Sequence, residues 1–185
     1  MAFVYLCLAL FLLLFVLVYY SSLKPALTKP LTAKKNYTPF VLVLLLAAAV
    51  RIVVAYSFEG YAVDIACFKS WAALAYEGGL QNFYLSDVYA DYPPGYIYEL
   101  WLLGALRSWF HIAQDSTLFT LMIKLPAIIC DLLAGWLIYR LVHKRGNNTL
   151  ALCLSFLYLI NPAVIINSSA WGQVDSVFTL FVVLY

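Results

Sequence analysis

Charged residues are scarce in this chain. They make up 11% of its 185 residues, whereas hydrophobic residues make up 65%, and the mean hydropathy is +0.91. A soluble domain carries about 25% charged and about 45–50% apolar residues, so this chain has more apolar surface than its own core can bury. The net charge of +2 gives no support for nucleic-acid binding. The composition therefore indicates a membrane protein whose remaining apolar surface is covered by lipid.

Sequence motifs of common soluble enzymes are also absent. The chain has no Gly-rich phosphate-binding loop and no HExxH sequence, and its four cysteines are scattered without a CxxC pair. Neither a disulfide framework nor a metal site follows from that spacing. We therefore expect no metal site and no bound cofactor, while a requirement for a divalent metal stays open.

The sequence does contain a series of apolar runs of membrane-spanning length. A helix needs about 20 residues to cross the bilayer. The first run has neither the basic start nor the small-residue cleavage site of a signal peptide. We predict an all-α, polytopic transmembrane bundle of about five spans, at residues 2–20, 39–57, 118–142 and 150–166 and from Val177 onwards. The last run stops at Tyr185 without a polar flank, so we expect a truncated chain.

The basic residues predict how the chain is oriented in the membrane. Segment 21–38 carries four lysines, and the positive-inside rule makes it a cytoplasmic loop. This loop ends an extra N-terminal unit, residues 1–38. We expect residues 39–185 to form the N-terminal part of a transmembrane domain that is truncated at the C-terminus.

A short apolar helix predicted at Tyr96–Phe110 decides the rest of the topology. If it crosses the membrane, Arg140, Lys144 and Arg145 lie outside, and the cytoplasmic cations are the four loop lysines and Arg107. If it does not, the four lysines and those three residues all lie inside, which the positive-inside rule favours. Its length of about 15 residues also disfavours a span. We therefore predict a re-entrant or interfacial helix, with the polar motifs of the chain at the outer surface.

Two of these polar motifs lie in the segment before that helix. Asp64 opens a predicted amphipathic helix, Asp64–Glu77. One interpretation is that the carboxylate stabilises the helix by about 0.3–1 kcal/mol through its interaction with the helix dipole. The other is that it acts as a general base. Asp91 and Tyr92 precede two prolines that restrict the backbone, which indicates either a plain turn or a rigid presentation of both side chains.

Charged residues inside the predicted spans are further candidates, because such residues usually face the bundle interior. Arg51 either extends to the outer headgroups or faces inward and holds an anion. Lys124 and Asp131 are seven residues apart, so they share a helix face but are too far apart to pair. Lys124 lies near the outer end, in a place to bind a lipid-linked phosphate. Asp131 is deeper, in a place to pair with another span.

The predicted loop between the fourth and fifth spans reads Trp171-Gly172-Gln173-Val174-Asp175. One interpretation is an ordinary loop with an interfacial tryptophan. The density of hydrogen-bonding groups favours the other interpretation, which is a binding site at the outer surface.

In this order the motifs resemble those of the GT-C membrane glycosyltransferases. The chain is most similar to the mannosyltransferases that add the second mannose in glycosylphosphatidylinositol synthesis, and to their prokaryotic relatives. The resemblance covers about residues 40–185, and residues 2–20 are an addition to the family pattern. The motifs that carry it are Arg51, Gly60…Asp64, Tyr92-Pro93-Pro94-Gly95, Lys124-Leu125-Pro126, Asn161-Pro162 and Trp171-Gly172-Gln173-Val174-Asp175.

The resemblance implies an inverting hexosyltransferase that acts on the non-cytoplasmic face. It would move a sugar, most commonly mannose, from a polyprenyl- or dolichyl-phosphate donor to a glycan or lipid acceptor, with Asp64 as the base on the acceptor hydroxyl. Lys124 would bind the donor phosphate. The other expected donor- or substrate-binding residues are Arg51, Asp91, Tyr92, Trp171, Gln173 and Asp175.

The same resemblance places the chain in the plasma membrane of a prokaryote or the endoplasmic reticulum membrane of a eukaryote. Two alternatives to an enzyme stay open. One is a transporter of lipid-linked sugars, and the other is a non-catalytic partner or degenerate fragment of such an enzyme. The expected partners are the bilayer, the lipid-linked donor and the acceptor, and not nucleic acid.

Overall fold

The computed structural model describes residues 2–25, 37–85, 87–145 and 147–185. Within these ranges every regular element is helical and no strand occurs, which confirms the predicted all-α class. Three of the four lysines of the predicted cytoplasmic loop lie outside the described residues. The α-helices are α1 (Ala2–Val18), α2 (Thr38–Ser57), α3 (Ala62–Glu77), α4 (Pro94–Trp109), α5 (Thr117–His143), α6 (Asn148–Leu159), α7 (Pro162–Ile165) and α8 (Asp175–Leu184).

Two helices of the described chain, α2 and α5, are long and apolar enough to cross a membrane. They have 20 and 27 residues. At 1.5 Å per residue they reach about 30 and about 40 Å, which matches or exceeds the thickness of the hydrocarbon layer. A third crossing results if α6 and the helical segment after it form one bent span. Ala9–Leu23 and α8 are apolar but shorter, so two or three of the predicted spans meet this criterion.

The fourth predicted span is broken by Asn161 and Pro162. Pro162 starts α7, and the side chain of Asn161 caps it by accepting a hydrogen bond from the amide of Ala163 at 3.0 Å. A proline has no amide for the helical ladder and therefore interrupts it. The axis turns by 45° at this break. Beyond it, α7 continues as a π-helix, Ile166–Trp171, which leads into the polar loop that ends at Asp175.

Helix α5 is the central helix, since it packs against α2, α6 and α8. Ser116 caps its start by accepting a hydrogen bond from the amide of Phe119 at 3.2 Å. Against α6, the hydroxyl of Ser155 donates to the carbonyl of Gly135 at 2.9 Å. A Cβ added at Gly135 would lie 2.5 Å from the side chain of Leu159, so the two helices are in close contact here.

Helices α3 and α4 form a pair above the ends of the long helices, and this pair carries the main apolar core. Phe68, Trp71, Tyr96 and Leu100 are buried between them. At Gly104 of α4 an added Cβ would overlap the backbone of α3, so only glycine permits this approach. At the far end Arg107 pairs with Glu77, with Nη2 and Oε1 2.9 Å apart.

Candidate functional site

The carboxylate of Asp64 is the centre of a polar cluster that joins α3 to the loop after α7. Asp64 lies in the first turn of α3 and is half-buried. Its Oδ2 accepts hydrogen bonds from Nε1 of Trp171 at 3.3 Å and from Nε2 of Gln173 at 2.5 Å. Within the described part of the chain, Oδ1 accepts no hydrogen bond. Hydrogen bonds to Oδ2 therefore hold the carboxylate in place, and Oδ1 is available as an acceptor.

Tyr92 extends this cluster by one more hydrogen bond. Its hydroxyl donates to Oε1 of Gln173 at 3.0 Å. With its oxygen engaged by Tyr92, the amide of Gln173 turns its nitrogen to Asp64. The ring of Tyr92 is packed edge-on against Phe68 and tilted against Trp71, with centroid distances of 5.4 and 5.9 Å. The aromatic core between α3 and α4 thus fixes the hydroxyl that orients Gln173.

Electrostatics keep the Tyr92 hydroxyl protonated. Burial raises the pKa of Tyr92, and the charges of Asp64, Asp175 and Asp91 raise it further, because a second negative charge near carboxylates is unfavourable. Asp91 itself is exposed, and it acts on the cluster through its charge. Tyr92 is therefore a hydrogen-bond donor at neutral pH.

The loop that carries Trp171 and Gln173 depends on two glycines. Gly172 ends the π-helix with φ of +91°, and its amide donates to the carbonyl of Asn167 at 3.1 Å. On the opposing side the amide of Tyr61 donates to the carbonyl of Trp171 at 3.3 Å. Gly60 has φ of +98°, and a Cβ there would lie 2.6 Å from that carbonyl. Side chains at either position would separate the loop from α3.

Lys124 lies under this loop and is fully buried. Its ammonium donates to the carbonyls of Ala55 at 3.3 Å and Phe58 at 2.6 Å, at the end of α2, and to those of Ser169 at 3.1 Å and Ala170 at 3.3 Å, at the end of the π-helix. The last carbonyls of a helix lack intrahelical partners and favour a cation. Because four acceptors surround three N–H groups, no donor is left for a phosphate while these contacts are kept.

Arg51 faces inward and holds an anion, and that anion is the carboxylate of Asp131. Both side chains are fully buried, with Nε and Oδ2 3.4 Å apart. Arg51 also donates through Nη1 to the carbonyl of Leu159 at 2.7 Å. The hydroxyls of Tyr158 and Ser176 donate to Oδ1 of Asp131 at 3.4 and 2.5 Å. The carboxylate of Asp131 thus links α2, α5, α6 and α8. Arg51 is buried within the bundle and does not reach the surface.

A cavity of about 420 Å³ lies between the loop after the π-helix and this buried carboxylate. At its exposed end, Asp175 accepts a hydrogen bond from Nδ2 of Asn167 at 3.1 Å. At its inner end it reaches Asp131 and Ser176. The remaining lining residues are Tyr158, Ala163, Val164 and Thr179.

The structure brings four of the predicted site residues into direct contact: Asp64, Tyr92, Trp171 and Gln173. Asp91 and Asp175 act on Tyr92 through charge, whereas Lys124 and Arg51 are each engaged with other protein groups. Among the described residues, no group of three or more His, Cys, Asp or Glu side chains could hold a metal ion.

Sequence reasoning missed four residues that complete the two clusters, namely Tyr61, Tyr158, Asn167 and Ser176. The hydroxyls of Tyr158 and Ser176 lie inside or beside apolar runs. A hydroxyl in an apolar environment needs a hydrogen-bond partner from the protein. That signal was present in the sequence. Tyr61 contacts Trp171 through its ring, at a centroid distance of 5.8 Å, and through its backbone amide, and a backbone amide leaves no signal in the sequence.

The chain matches no protein-family model, no curated protein and no solved structure.

Proposed function

We propose that this protein is an inverting glycosyltransferase that uses a polyprenyl- or dolichyl-phosphate sugar, most commonly mannose, as its donor. The observation that carries the proposal is the Asp64 carboxylate, held by Trp171 and Gln173 on Oδ2 with Oδ1 left to accept a proton. A fixed carboxylate with one available oxygen is suited to general-base catalysis. The order of the motifs, which resembles that of GT-C enzymes, supplies the reaction class.

In the proposed reaction, Oδ1 of Asp64 accepts the proton of an acceptor hydroxyl. The acceptor oxygen bonds to the anomeric carbon as the bond between that carbon and the phosphate oxygen breaks. The lipid phosphate leaves with the electron pair, and the configuration of the sugar inverts. Tyr92 acts by holding the Gln173 amide, so Tyr92 and Gln173 are positioning residues for Asp64.

We place the reaction at the outer face of a membrane that the chain crosses several times, in about five spans. The exposed apolar side chains of α4 and the residue after it support an interfacial position for this helix, because Trp101, Trp109 and Phe110 are 37%, 77% and 69% exposed and tryptophan is enriched at membrane interfaces. In this arrangement α3, α4 and the loop at Trp171 lie at the level of the outer headgroups.

The positions of Lys124 and Arg51 favour structural roles for these two residues, whereas the resemblance implies that they bind the donor or substrate. Lys124 is proposed to position the loop that holds Asp64, and Arg51 to hold the bundle together. The described residues would then supply the acceptor half of the reaction. The same observation supports a second candidate function, a non-catalytic partner that binds the acceptor for another GT-C subunit.

Transfer of a radiolabelled sugar from dolichyl- or polyprenyl-phosphate mannose to glycolipid acceptors, in membranes that contain the protein, tests the proposal. Asp64→Asn should lower the transfer rate at least about 100-fold, since general-base catalysis contributes about 10²–10⁴-fold, and should leave donor binding unchanged. The control is Asp87→Asn, which removes an exposed carboxylate outside the cluster. Full turnover by Asp64→Asn would remove the base assignment. Binding of an acceptor without transfer by the wild-type protein would favour the non-catalytic candidate.

A further inference from the structure

A second polar cavity, of about 280 Å³, lies between the end of α2, the first half of α3 and the start of α5. Because α2 and α5 are the two helices long enough to cross a membrane, a cavity at an end of both lies where the polar headgroups begin. None of the residues that contact Asp64 lines it. It is therefore separate from the cluster described above.

Three charged side chains line this headgroup-level cavity: Glu59, Lys69 and Asp115. Lys69 donates to the carbonyl of Ser116 at 3.4 Å and lies 5.9 Å from the ring centroid of Phe119. Burial lowers the pKa of Lys69, and the charges of Asp115 and Glu59 act against that shift. The single ammonium is thus near both carboxylates.

The two carboxylates keep their acceptor capacity. In the part of the chain that the structure describes, neither Glu59 nor Asp115 accepts a hydrogen bond or lies within 4.0 Å of a cationic nitrogen. Both are exposed. The cavity therefore presents two negative charges and one positive charge, with room for a ligand that carries a compensating cation.

The remaining walls match the boundary between water and lipid. Thr117 contributes an exposed hydroxyl beside Lys69, at the start of α5. On the side of α2, Tyr56 and Phe58 are 69% and 51% exposed, and they extend the apolar surface of that helix to the cavity. A ligand in this place has a polar head among the charges and an apolar body against α2.

We propose that this cavity binds the phosphoethanolamine headgroup of a membrane phospholipid, with the primary ammonium between Glu59 and Asp115 and the phosphate facing Lys69 and Thr117. A primary ammonium donates three hydrogen bonds, which carboxylates accept with charge assistance. A quaternary ammonium has no N–H group to donate. An anionic headgroup without an amine would bring more negative charge to a cavity whose net charge is already negative.

The size of the cavity agrees with a headgroup alone. Pockets for drug-sized ligands span about 300–1,000 Å³, and this one, at about 280 Å³, is at the lower limit. The acyl chains would lie outside it, along the apolar face of α2. The proposal does not depend on sugar transfer, so the failure of either leaves the other standing.

Lipid retention by the purified chain tests this site. The protein is exchanged into nanodiscs with equal amounts of phosphatidylethanolamine, phosphatidylcholine and phosphatidylglycerol, released into detergent, and the retained lipids are counted by native mass spectrometry. We expect one phosphatidylethanolamine molecule retained with at least about tenfold preference, because only its primary ammonium can donate charge-assisted hydrogen bonds to both carboxylates. Glu59→Gln with Asp115→Asn should lower the ratio to that of the bilayer.

A matched control removes two carboxylates elsewhere. Glu77→Gln with Asp87→Asn changes the net charge by the same amount outside the cavity and should keep the preference. Preferred retention of phosphatidylglycerol or phosphatidylcholine, or the same phosphatidylethanolamine preference in both double variants, would overturn the proposal. Soluble phosphoethanolamine should compete only weakly, and equal competition would assign the site to a soluble ligand.

A second measurement needs no variant. In the wild-type protein, retention should fall stepwise from phosphatidylethanolamine through its monomethyl and dimethyl derivatives to phosphatidylcholine, as N–H donors are lost. Equal retention across this series would show that the carboxylates do not bind the amine, and it would overturn the proposal.

Discussion

Gln173 donates a hydrogen bond from Nε2 to Oδ2 of Asp64, although 109 positions separate the two residues in the sequence. The contact joins the first turn of α3 to the loop that follows the π-helix. It is one of two bonds that restrict the Asp64 carboxylate, and it depends on a glutamine amide whose orientation is set by Tyr92.

Tyr92→Phe keeps the ring in the aromatic core and removes only the hydroxyl that donates to Gln173. The glutamine amide can then turn, and Asp64 loses its fixed orientation. We expect kcat for sugar transfer to fall about two- to twelvefold, which corresponds to a neutral hydrogen bond of about 0.5–1.5 kcal/mol, with KM little changed. Steady-state kinetics measure this split. Tyr89→Phe, at a side chain that is 80% exposed, is the control, and equal effects of the two changes would contradict the positioning role.

Lys124→Met removes the ammonium that four carbonyls share. Unsatisfied buried carbonyls cost about 1–3 kcal/mol each, so the end of α2 and the π-helix should separate. We expect faster hydrogen–deuterium exchange at the amide of Tyr61, which donates to the carbonyl of Trp171 across this junction, and at the amide of Gly172, which donates to the carbonyl of Asn167 at the end of the π-helix. If Lys124 is instead a phosphate ligand, the same variant weakens donor binding and leaves the exchange of these amides unchanged. Lys69→Met, a matched loss of charge on α3, should leave exchange at Gly172 unchanged.

Asp131→Asn leaves the guanidinium of Arg51 buried without its counter-charge. Breaking a buried ion pair from one side costs about 3–5 kcal/mol, whereas replacing both partners is often close to neutral. We therefore expect a large loss of stability in Asp131→Asn and recovery of most of it when Arg51→Met is added. Thermal unfolding in detergent measures both. The ion pair between Arg107 and the exposed Glu77 offers a control, because Glu77→Gln should cost at most about 1 kcal/mol. Additive losses of stability for the changes at Arg51 and Asp131 would contradict their pairing.

We predict that the carboxyl group of Glu99 makes the stability of the folded protein depend on pH. Burial raises the pKa of this α4 carboxyl to about 7, so the folded protein holds its proton more tightly than the unfolded chain does. The associated stability is present below the ordinary glutamate pKa and is lost as pH rises towards about 7. Thermal unfolding between pH 4 and pH 8 should show a smaller decline for Glu99→Gln than for the wild type. Parallel curves for the two proteins would contradict the prediction, and Glu77→Gln should follow the wild type.

Cysteine labelling decides whether α4 crosses the membrane. In a background without the natural cysteines, Asp87→Cys lies before α4 and Arg145→Cys lies after α5. If α4 is interfacial, only α5 separates the two positions, so an impermeant maleimide added outside should label Asp87→Cys alone. If α4 also spans, both positions lie on the same side and are labelled together.

The helical elements could largely be predicted because their signals are local. The apolar runs gave α2 and α5 to within one residue at each end, and the helix predicted at Asp64–Glu77 begins two residues earlier, at Ala62. The break at Asn161 was not predicted. Proline starts a helix as readily as it interrupts one, and the choice depends on what the turned segment packs against.

The site could be predicted in part, for a similar reason. Hydrogen-bonding side chains near the predicted ends of helices indicated Asp64, Tyr92, Trp171 and Gln173, and these side chains are in contact. The spacing of residues along a helix predicts the face on which Lys124 lies. It does not predict which ends of neighbouring helices surround that side chain. The carbonyls that bind its ammonium are backbone groups, which every residue has, so the sequence contains no signal for them.

The close approach of α3 and α4 at Gly104 has a mechanical consequence. Helices whose backbones touch cannot slide past each other, and the ion pair between Arg107 and Glu77 links them at their far end. Any motion that opens the surroundings of Asp64 therefore has to move α3 and α4 together as one rigid pair. This pair would rotate about its short connections to the long helices, at residues 58–61 and 110–116.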